Sequence, residues 1–195
     1  MAIKRKQIII GLVGPIGAGK GTIIKFLQEK DFFCLSLSDR IREEIINRGQ
    51  EITRERLLTV ADQLRKNFGS DVLARRTWQK ILENNNPKVV VDSIRGVAEV
   101  NFFKSKQNFY LIGINASQKK RFVWAKKRNR EGEPLTWEEF IKVDEQDFFS
   151  GDGQTGRNIP DCLKKVDFLV DNSGTINQLK NKIFQILGQI LLQKE

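Results

Sequence analysis

The chain has 195 residues, of which 39% are hydrophobic and 30% charged, and its formal net charge is +10. This length fits one domain with its own core, and no run approaches the roughly 18 apolar residues of a membrane span. The sequence contains no histidine, which excludes a histidine base, histidine-activated nucleophiles and most zinc sites. The positive charge favours anionic partners: nucleotides, phosphorylated metabolites or nucleic acid.

The two cysteines, Cys34 and Cys162, lie far apart and do not form a metal-binding pair. The basic and then apolar N-terminus lacks the small-residue cleavage site that follows a signal peptide. We therefore expect a cytoplasmic protein with reduced thiols and no membrane contact. The sequence leaves the oligomeric state open between monomer and homodimer.

Short apolar runs alternate with amphipathic segments of helix length. The apolar runs predict strands at 7–13, 32–37, 88–92, 109–114 and 168–170. The amphipathic segments predict helices near 20–30, 39–48, 54–67, 71–84, 96–104, 118–129, 137–148 and 175–192. Thr53 and Ser70 precede predicted helices, and Thr136 with Glu139 has capping-box spacing. The alternation predicts an α/β fold, a three-layer α/β/α sandwich around a five-stranded parallel sheet with ligands at the carboxyl ends of its strands.

The stretch GLVGPIGAGKGT, residues 11–22, follows the first predicted strand and opens the first predicted helix. Gly14 and the Gly19-Lys20 pair have the spacing of a phosphate-binding loop, whose glycines let backbone N–H groups point at phosphate oxygens. The helix N-terminus adds positive charge, and Lys20 supplies a mobile cation to the phosphates in transfer. A glycine-rich turn with an incidental lysine is the alternative interpretation. The residues expected to contact the nucleotide are Gly14, Gly17, Ala18, Gly19, Lys20, Gly21 and Thr22.

Gly21 separates Lys20 from the first hydroxyl, that of Thr22, so no hydroxyl directly follows the lysine. In this respect GPIGAGKGT resembles the nucleoside-monophosphate kinases, and the adenylate kinase family in particular, where Gly-Lys-Gly-Thr is usual. The resemblance implies a P-loop NTPase fold with a helical lid and ATP as donor. It also implies Mg²⁺ held largely through waters and phosphates, with Thr22 as a candidate ligand.

The segment SLSDRIREE, residues 36–44, resembles the Gly-Asp-x-x-Arg segment with which adenylate kinases bind the acceptor phosphate. Ser38 replaces the glycine, Asp39 is expected to cap the helix, and Arg42 can reach an anion bidentately. A solvated charge pattern with Arg40 and Glu44 as partners is the alternative. If the acceptor group is a hydroxyl, Asp39 is the candidate to accept its proton.

The segment KVVVDSIRG, residues 88–96, closes a hydrophobic strand with Asp92, the position at which NTPases place the carboxylate that orients hydrated magnesium. Arg95 follows and is expected beside the acceptor. The segment resembles the Asp-Gly-x-Arg-Gly of archaeal adenylate-kinase-related proteins, and the arginine comes one residue earlier than in the Asp-Gly-Phe-Pro-Arg of adenylate kinases. The alternative is that Asp92 merely caps the next helix.

The segment SQKKRFVWAKKRNR, residues 117–130, has seven basic residues and no acidic one. As a helix it places Arg121, Ala125 and Arg128 on one face. Nucleoside-monophosphate kinases have a lid here that excludes water and brings arginines over the phosphoryl group in transfer. The resemblance makes Arg121 and Arg128 the expected catalytic cations, with Arg130 next. A nucleic-acid-binding stripe interleaved with aromatics and a solvated basic face are the alternatives.

The segment KVDFLVDNSGTINQLKNKI, residues 165–183, resembles the end of dephospho-CoA kinases, with a strand, an Asn-containing turn and a helix. This resemblance implies that Asn172 contacts the adenine of ATP, although an ordinary turn is equally compatible with the composition. In the preceding loop, Gln154 and Arg157 are weaker candidates to face the substrate.

Together these features predict one P-loop kinase domain over residues 1–195, with an acceptor-binding helical region at 38–85 and a lid-like region at 117–158. The predicted reaction transfers the γ-phosphoryl group of ATP to a small nucleotide-type acceptor, foremost a (deoxy)nucleoside monophosphate, by positioning and charge stabilisation. The alternatives are transfer to a hydroxyl in the manner of dephospho-CoA kinase, a nucleic-acid 5′-end kinase, and a nucleotide-dependent binding protein without transfer.

Overall fold

The computed structural model describes residues 7–128, 136–149 and 156–192. These residues form one sheet of five parallel strands in the order β2-β3-β1-β4-β5. The strands are β1 (Ile8–Val13), β2 (Phe33–Ser36), β3 (Lys88–Asp92), β4 (Phe109–Asn115) and β5 (Phe168–Asp171). All five predicted strands are confirmed, with small differences at their ends. Strands β2 and β3 lie on one side of β1, and β4 and β5 lie on the other. The strand order therefore reverses at β1, which places a topological switch point at its carboxyl end.

Nine helices connect and cover the strands within the described ranges. They are α1 (Lys20–Gln28), α2 (Leu37–Asn47), α3 (Arg54–Phe68), α4 (Val72–Glu83), α5 (Val97–Lys104), α6 (Gln118–Arg128), α7 (Trp137–Phe148), α8 (Ile159–Leu163) and α9 (Ile176–Leu192). Eight of them correspond to predicted helices. The short α8 was not predicted, because five residues are too few to show helical periodicity.

Local capping chemistry sets several of the helix starts. The Thr53 hydroxyl accepts a hydrogen bond from the Arg56 N–H at 3.2 Å, which confirms the predicted start of α3. Thr136 and Glu139 form the predicted capping box at the start of α7, each side chain accepting from the other residue's N–H. Each such cap contributes on the order of 1 kcal/mol to helix stability.

Two of the predicted helix starts are wrong. Helix α2 begins at Leu37, and Ser36 caps it by accepting from the Ser38 N–H at 3.2 Å, so Asp39 lies inside the first turn and is not the cap. Leu37 is 1% exposed, and its burial in the core stabilises a helix that begins directly after β2. Helix α4 begins at Val72 after Asp71, so Ser70 does not cap it.

Two apolar clusters lie on the two faces of the sheet and give the predicted three layers. One contains residues of α2, α3, α4, α5 and α8, and includes the fully buried Leu64 and Phe103. The other contains residues of α1 and α9, and includes Leu27 and Ile183. All six residues of β1 are buried, as expected for a central strand covered on both faces. Among the described helices, none has the length and apolar character required to cross a bilayer.

Candidate active site

The loop between β1 and α1 requires glycine for two separate reasons. Gly17 and Gly19 have φ angles of 76° and 105°, in the left-handed region that side chains disfavour. A Cβ on Gly17 would lie 2.6 Å from the carbonyl oxygen of Arg121, and one on Gly19 would lie 2.4 Å from Nδ2 of Asn172. Gly19 is also the N-cap residue of α1 and supplies no side-chain cap, so the electropositive helix end stays open toward an anion.

Lys20, the first residue of α1, folds back over its own loop. Its Nζ donates hydrogen bonds to the carbonyl oxygens of Gly14 at 2.6 Å and Pro15 at 3.0 Å. Desolvation by burial lowers the pKa of Lys20 from 10.5 to about 8, and the nearby carboxylate of Asp92 opposes that shift. The lysine is therefore a cation at neutral pH that a bound phosphate would stabilise further.

Asp92 ends β3, next to β1 and opposite Ser36 of β2. Its Oδ1 is buried and has no hydrogen-bond partner in the part of the chain that the structure describes. Such an orphaned carboxylate oxygen fits a hydrated cation. The described residues hold no cluster of three or more Asp, Glu, Cys or His side chains that could bind a metal. Asp92 is a residue at this strand end that could hold a hydrated Mg²⁺.

A cavity of about 620 Å³ lies on one side of the loop, between the carboxyl edge of the sheet and helices α2, α3 and α4. The apolar members of its lining include Leu37, Ile41 and Leu57. The described lining also contains five arginines and one carboxylate, that of Asp147. These arginines are Arg42, Arg54, Arg65, Arg95 and Arg157.

Asp147 of α7 lies between two of the arginines. Its Oδ1 accepts from Arg95 Nη1 at 2.5 Å and from Arg157 Nη1 at 3.5 Å. Burial lowers the pKa of Arg157, and the charge of Asp147 opposes that shift. Asp147 could not be identified from the sequence, because an acidic residue in an amphipathic helix is expected to face solvent. Its partner Arg95 lies 52 residues away in the chain.

Arg65 and Glu99 form a second ion pair at this cavity that sequence reasoning missed. Arg65 Nη2 lies 3.0 Å from Glu99 Oε1, and both side chains are at most 5% exposed. The other oxygen of Glu99 accepts from the N–H groups of Arg95 and Gly96 at 2.9 and 3.0 Å. This buried carboxylate thus holds the loop that carries Arg95 at the edge of the cavity.

Arg42 and Asp39 form an exposed ion pair in helix α2. Arg42 lines the cavity and pairs with Asp39 at 3.1 Å, and both side chains are more than two-fifths exposed. The alternative pairing of Arg40 with Glu44 is wrong, because Arg40 is buried and pairs with Glu43. Glu44 instead accepts from Arg48 and Arg76, which lower its pKa.

A second cavity, of about 500 Å³, lies on the other side of the loop, between α1, α6 and α9. Its described lining contains three cations and no carboxylate, an arrangement that attracts polyphosphates. Gly17, Gly19, Gly21 and Thr22 of the loop and α1 contribute to this lining. The cations are Lys25, Lys127 and Arg128, and the remaining members are Trp124, Asn172, Gly174, Thr175, Ile176 and Leu179.

Asn172 follows β5 and is 7% exposed. Its Nδ2 donates to the carbonyl oxygen of Ala18 at 2.9 Å, and its N–H donates to the carbonyl of Asn115 at 2.7 Å. The Ala18 N–H in turn donates to Pro15 at 3.3 Å. Asn172 thereby ties the end of β5 to the glycine loop, which is a positioning contact within the protein.

Arg121 of α6 is buried, in contrast to an exposed lid cation. Its guanidinium is bidentate to Asp144 of α7, with Nη2 at 2.8 Å from Oδ2. Nη1 also donates to the carbonyl oxygen of Ile16, and Nε to that of Ala116, both at 3.0 Å. These contacts join α6, α7 and the glycine loop. Arg128, at the end of α6, lines the second cavity, while Arg130 and Gln154 lie outside the described residues.

Proteins of archaea are similar to the chain along nearly its whole length. A UPF0200 protein of Methanocaldococcus jannaschii is 32% identical over 187 residues, covering 95% of this chain and 91% of that protein. A UPF0200 protein of Staphylothermus marinus is 30% identical over 186 residues, covering 95% and 94%. No protein-family model matches the chain.

Solved structures of low sequence identity share the fold. The Thermus thermophilus protein TT1252 superposes with a TM-score of 0.60 at 19% identity, covering 94% of this chain and 97% of that one. A shikimate kinase of Bacteroides thetaiotaomicron gives 0.56 at 13% identity, covering 93% and 98%. A dephospho-CoA kinase of Campylobacter jejuni gives 0.51 at 15% identity, covering 95% and 98%. The fold is that of P-loop kinases.

Proposed function

The chain belongs to the UPF0200 protein family and has a P-loop kinase fold, and on these grounds we propose that it is an ATP-dependent small-molecule kinase. We further propose that it transfers the γ-phosphoryl group to the phosphate of a nucleotide-type acceptor, foremost a nucleoside or deoxynucleoside monophosphate. The family name states no activity, so the support for this proposal comes from the side chains around the glycine loop.

The observation that carries this proposal is the pair of cavities on opposite sides of one glycine loop. Ile16 lines the 620 Å³ cavity and Gly17, the next residue, lines the 500 Å³ cavity. Direct transfer needs a donor and an acceptor bound at once with their reacting groups a few ångströms apart. Two cavities lined by cations and by adjacent residues of one glycine loop fit this requirement, whereas hydrolysis alone needs no acceptor cavity.

On the donor side, the loop and the start of α1 would bind the triphosphate. The open helix end and the Lys20 ammonium supply positive charge where it builds up during transfer. Asp92 and Thr22 are the residues proposed to hold hydrated Mg²⁺, which when bound neutralises charge on the phosphate oxygens. The Nζ of Lys20 now donates to the carbonyl oxygens of Gly14 and Pro15. To bind the triphosphate, it would exchange these hydrogen bonds for bonds to phosphate oxygens.

On the acceptor side, the charges favour a phosphate over a hydroxyl. A hydroxyl acceptor calls for a carboxylate base, but Asp147 is held by two arginines and Asp39 is paired with Arg42 outside the described cavity lining. An ionised phosphate needs no base. Arg42 and Arg95 are the proposed acceptor ligands, and they lie in a lining with five arginines and one carboxylate.

The two helical regions have separate roles in this proposal. Residues 38–85 would form the acceptor-binding region, and 117–158 the lid, within a single domain. Arg128 is the proposed lid cation, because it lines the donor cavity. Arg121 is proposed to act through the loop, since it already binds the carbonyl of Ile16 and the carboxylate of Asp144.

The experiment that tests the proposal measures ADP release from Mg-ATP with a panel of nucleoside monophosphates, deoxynucleoside monophosphates, dephospho-CoA and a 5′-hydroxyl oligonucleotide. We expect at least one monophosphate to raise the rate well above the rate without acceptor. Lys20→Ala should remain folded and lose nearly all turnover. A wild-type rate in Lys20→Ala would refute the mechanism, and stimulation by dephospho-CoA or the oligonucleotide alone would refute the proposed acceptor class.

A further inference from the structure

Helix α3 places a buried arginine in the wall of the larger cavity. Leu57, Ala61 and Arg65 of α3 all line this cavity. Because they are spaced four residues apart, they form one row along the helix, with two apolar side chains followed by a cation. Only 5% of the Arg65 side chain is exposed. The apolar row on α3 therefore ends in a cation that is largely removed from bulk water.

The guanidinium of Arg65 has hydrogen-bonding capacity that the protein does not use. Its Nη2 donates to Glu99 Oε1 at 3.0 Å. Its Nε is buried and has no hydrogen-bond partner among the residues that the structure describes. Its Nη1 lies 3.7 Å from Oδ1 of Asp62, which is longer than a hydrogen bond. Buried donors in folded proteins nearly always have a partner, and a ligand oxygen in the adjoining cavity would supply one.

Arg40 of α2 is also a buried arginine with unpartnered nitrogens within the described ranges, namely Nε and Nη1. It pairs with Glu43 but is absent from the described linings of both cavities. A ligand in the larger cavity would therefore contact Arg65 and not Arg40. The two arginines differ in the feature that a binding role requires.

Positive charge is concentrated around Arg65 in the cavity wall. Arg95 and Arg157 line the same cavity. Burial lowers the pKa of Arg157, and the charges of Arg95 and Arg65 lower it further, so the three cations lie within electrostatic range of one another. Asp62 is 61% exposed, so water screens its charge. These surroundings favour an electron-rich oxygen as the ligand group over a hydrogen-bond donor.

We propose that Arg65 is an acceptor-binding residue that donates from its unpartnered nitrogens to an oxygen of the acceptor. This oxygen belongs either to the ribose phosphate or to the base, because both carry oxygens that accept hydrogen bonds from a guanidinium. The inference rests on the proposed function only in treating the larger cavity as the acceptor site. It adds Arg65 to Arg42 and Arg95 as an acceptor ligand. Loss of one hydrogen bond from a charged donor corresponds to about 10- to 100-fold in affinity.

The test is Arg65→Lys, which keeps a positive charge beside Glu99 but removes the guanidinium nitrogens. Calorimetry measures the binding of nucleoside monophosphates, of ribose 5-phosphate as a probe without a base, and of Mg-ATP. The variant should bind monophosphates about 10- to 100-fold more weakly and keep its Mg-ATP affinity, because the donor cavity is unaltered. An equal loss for ribose 5-phosphate would assign the oxygen to the ribose phosphate, and a loss for nucleotides alone would assign it to the base.

Arg40→Lys is the matched control and should leave all three affinities unchanged. The wild-type protein supplies a readout without mutation, because the NMR signal of the Arg65 Nε–H group should shift when a monophosphate is added, and that of Arg40 should not. Wild-type monophosphate affinity in Arg65→Lys, an equal loss in Arg40→Lys, or an unmoved Arg65 signal would overturn the inference.

The same measurements separate this inference from the proposed function. Transfer to a monophosphate with an unaltered affinity in Arg65→Lys would refute the role of Arg65 and leave the kinase activity standing. Monophosphate binding that depends on Arg65 without any transfer would refute the kinase activity and leave the role of Arg65 standing. Failure of the wild-type protein to bind any monophosphate would overturn both.

Discussion

Replacing Gly17 with alanine should destabilise the protein through a collision that the structure defines. The added Cβ would lie 2.6 Å from the Arg121 carbonyl oxygen, and the φ of 76° is disfavoured for alanine. The left-handed conformation costs about 1–2 kcal/mol. The overlap costs about 1–3 kcal/mol more, because Arg121 is fixed by Asp144 and Ile16 and cannot retreat freely. For a chain of this length we expect the melting temperature to fall by about 5–15 °C.

Gly21→Ala is the matched control in the same loop-helix segment. A Cβ at Gly21 meets nothing within 4 Å, and the residue lies in the first turn of α1. Alanine there should stabilise the helix by roughly 0.5–1 kcal/mol and raise the melting temperature by about 1–4 °C. Thermal unfolding followed by circular dichroism measures both variants. Equal melting temperatures for the two variants would refute the description of this loop.

Three further predictions concern the charges and contacts around the loop. Because the pKa of Lys20 is about 8 in the free protein, the ammonium deprotonates as pH rises through that value. ATP affinity measured by calorimetry should then fall by up to about tenfold per pH unit above 8, and a pH-independent affinity in this range would contradict the assignment. Asp147→Asn removes the carboxylate that binds Arg95, so steady-state kinetics should show a lower acceptor KM. The control Glu145→Gln, on the exposed side of α7, should leave this KM unchanged. A higher KM in Asp147→Asn would count against an anionic acceptor at Arg95. Asn172→Ala removes the donor that binds the buried Ala18 carbonyl, so we expect about 1–3 kcal/mol of lost stability. ATP binding should also weaken at least about tenfold. An unaltered ATP dissociation constant would contradict the positioning role of Asn172.

The features that could be predicted from the sequence are those encoded locally. The spacing of Gly14, Gly19 and Lys20 predicts the loop, and four residues at Thr136–Glu139 encode a capping box. Strand and helix alternation is also a local signal, and it was sufficient for the three layers and the parallel sheet.

The features that could not be predicted depend on pairs of residues far apart in the chain. Arg121 is predicted to be a lid cation from its helix face, and the sequence does not show that it is buried in an ion pair with Asp144, 23 residues away. Asn172 is predicted to contact the base, and the sequence does not show that its Nδ2 also donates to the loop across 154 residues. A single sequence shows neither partner, because ion pairs and buried hydrogen bonds of this kind arise only when the elements pack.

Phosphorus NMR of a mixture of wild-type protein, Mg-ATP and the best monophosphate of the panel tests the central claim most directly, because it shows where the γ-phosphoryl group goes. The two cavities on either side of the loop predict loss of the ATP and monophosphate signals and growth of two nucleoside diphosphate signals, with little inorganic phosphate. ATP consumed to ADP and inorganic phosphate at a rate independent of the monophosphate would contradict transfer across the loop.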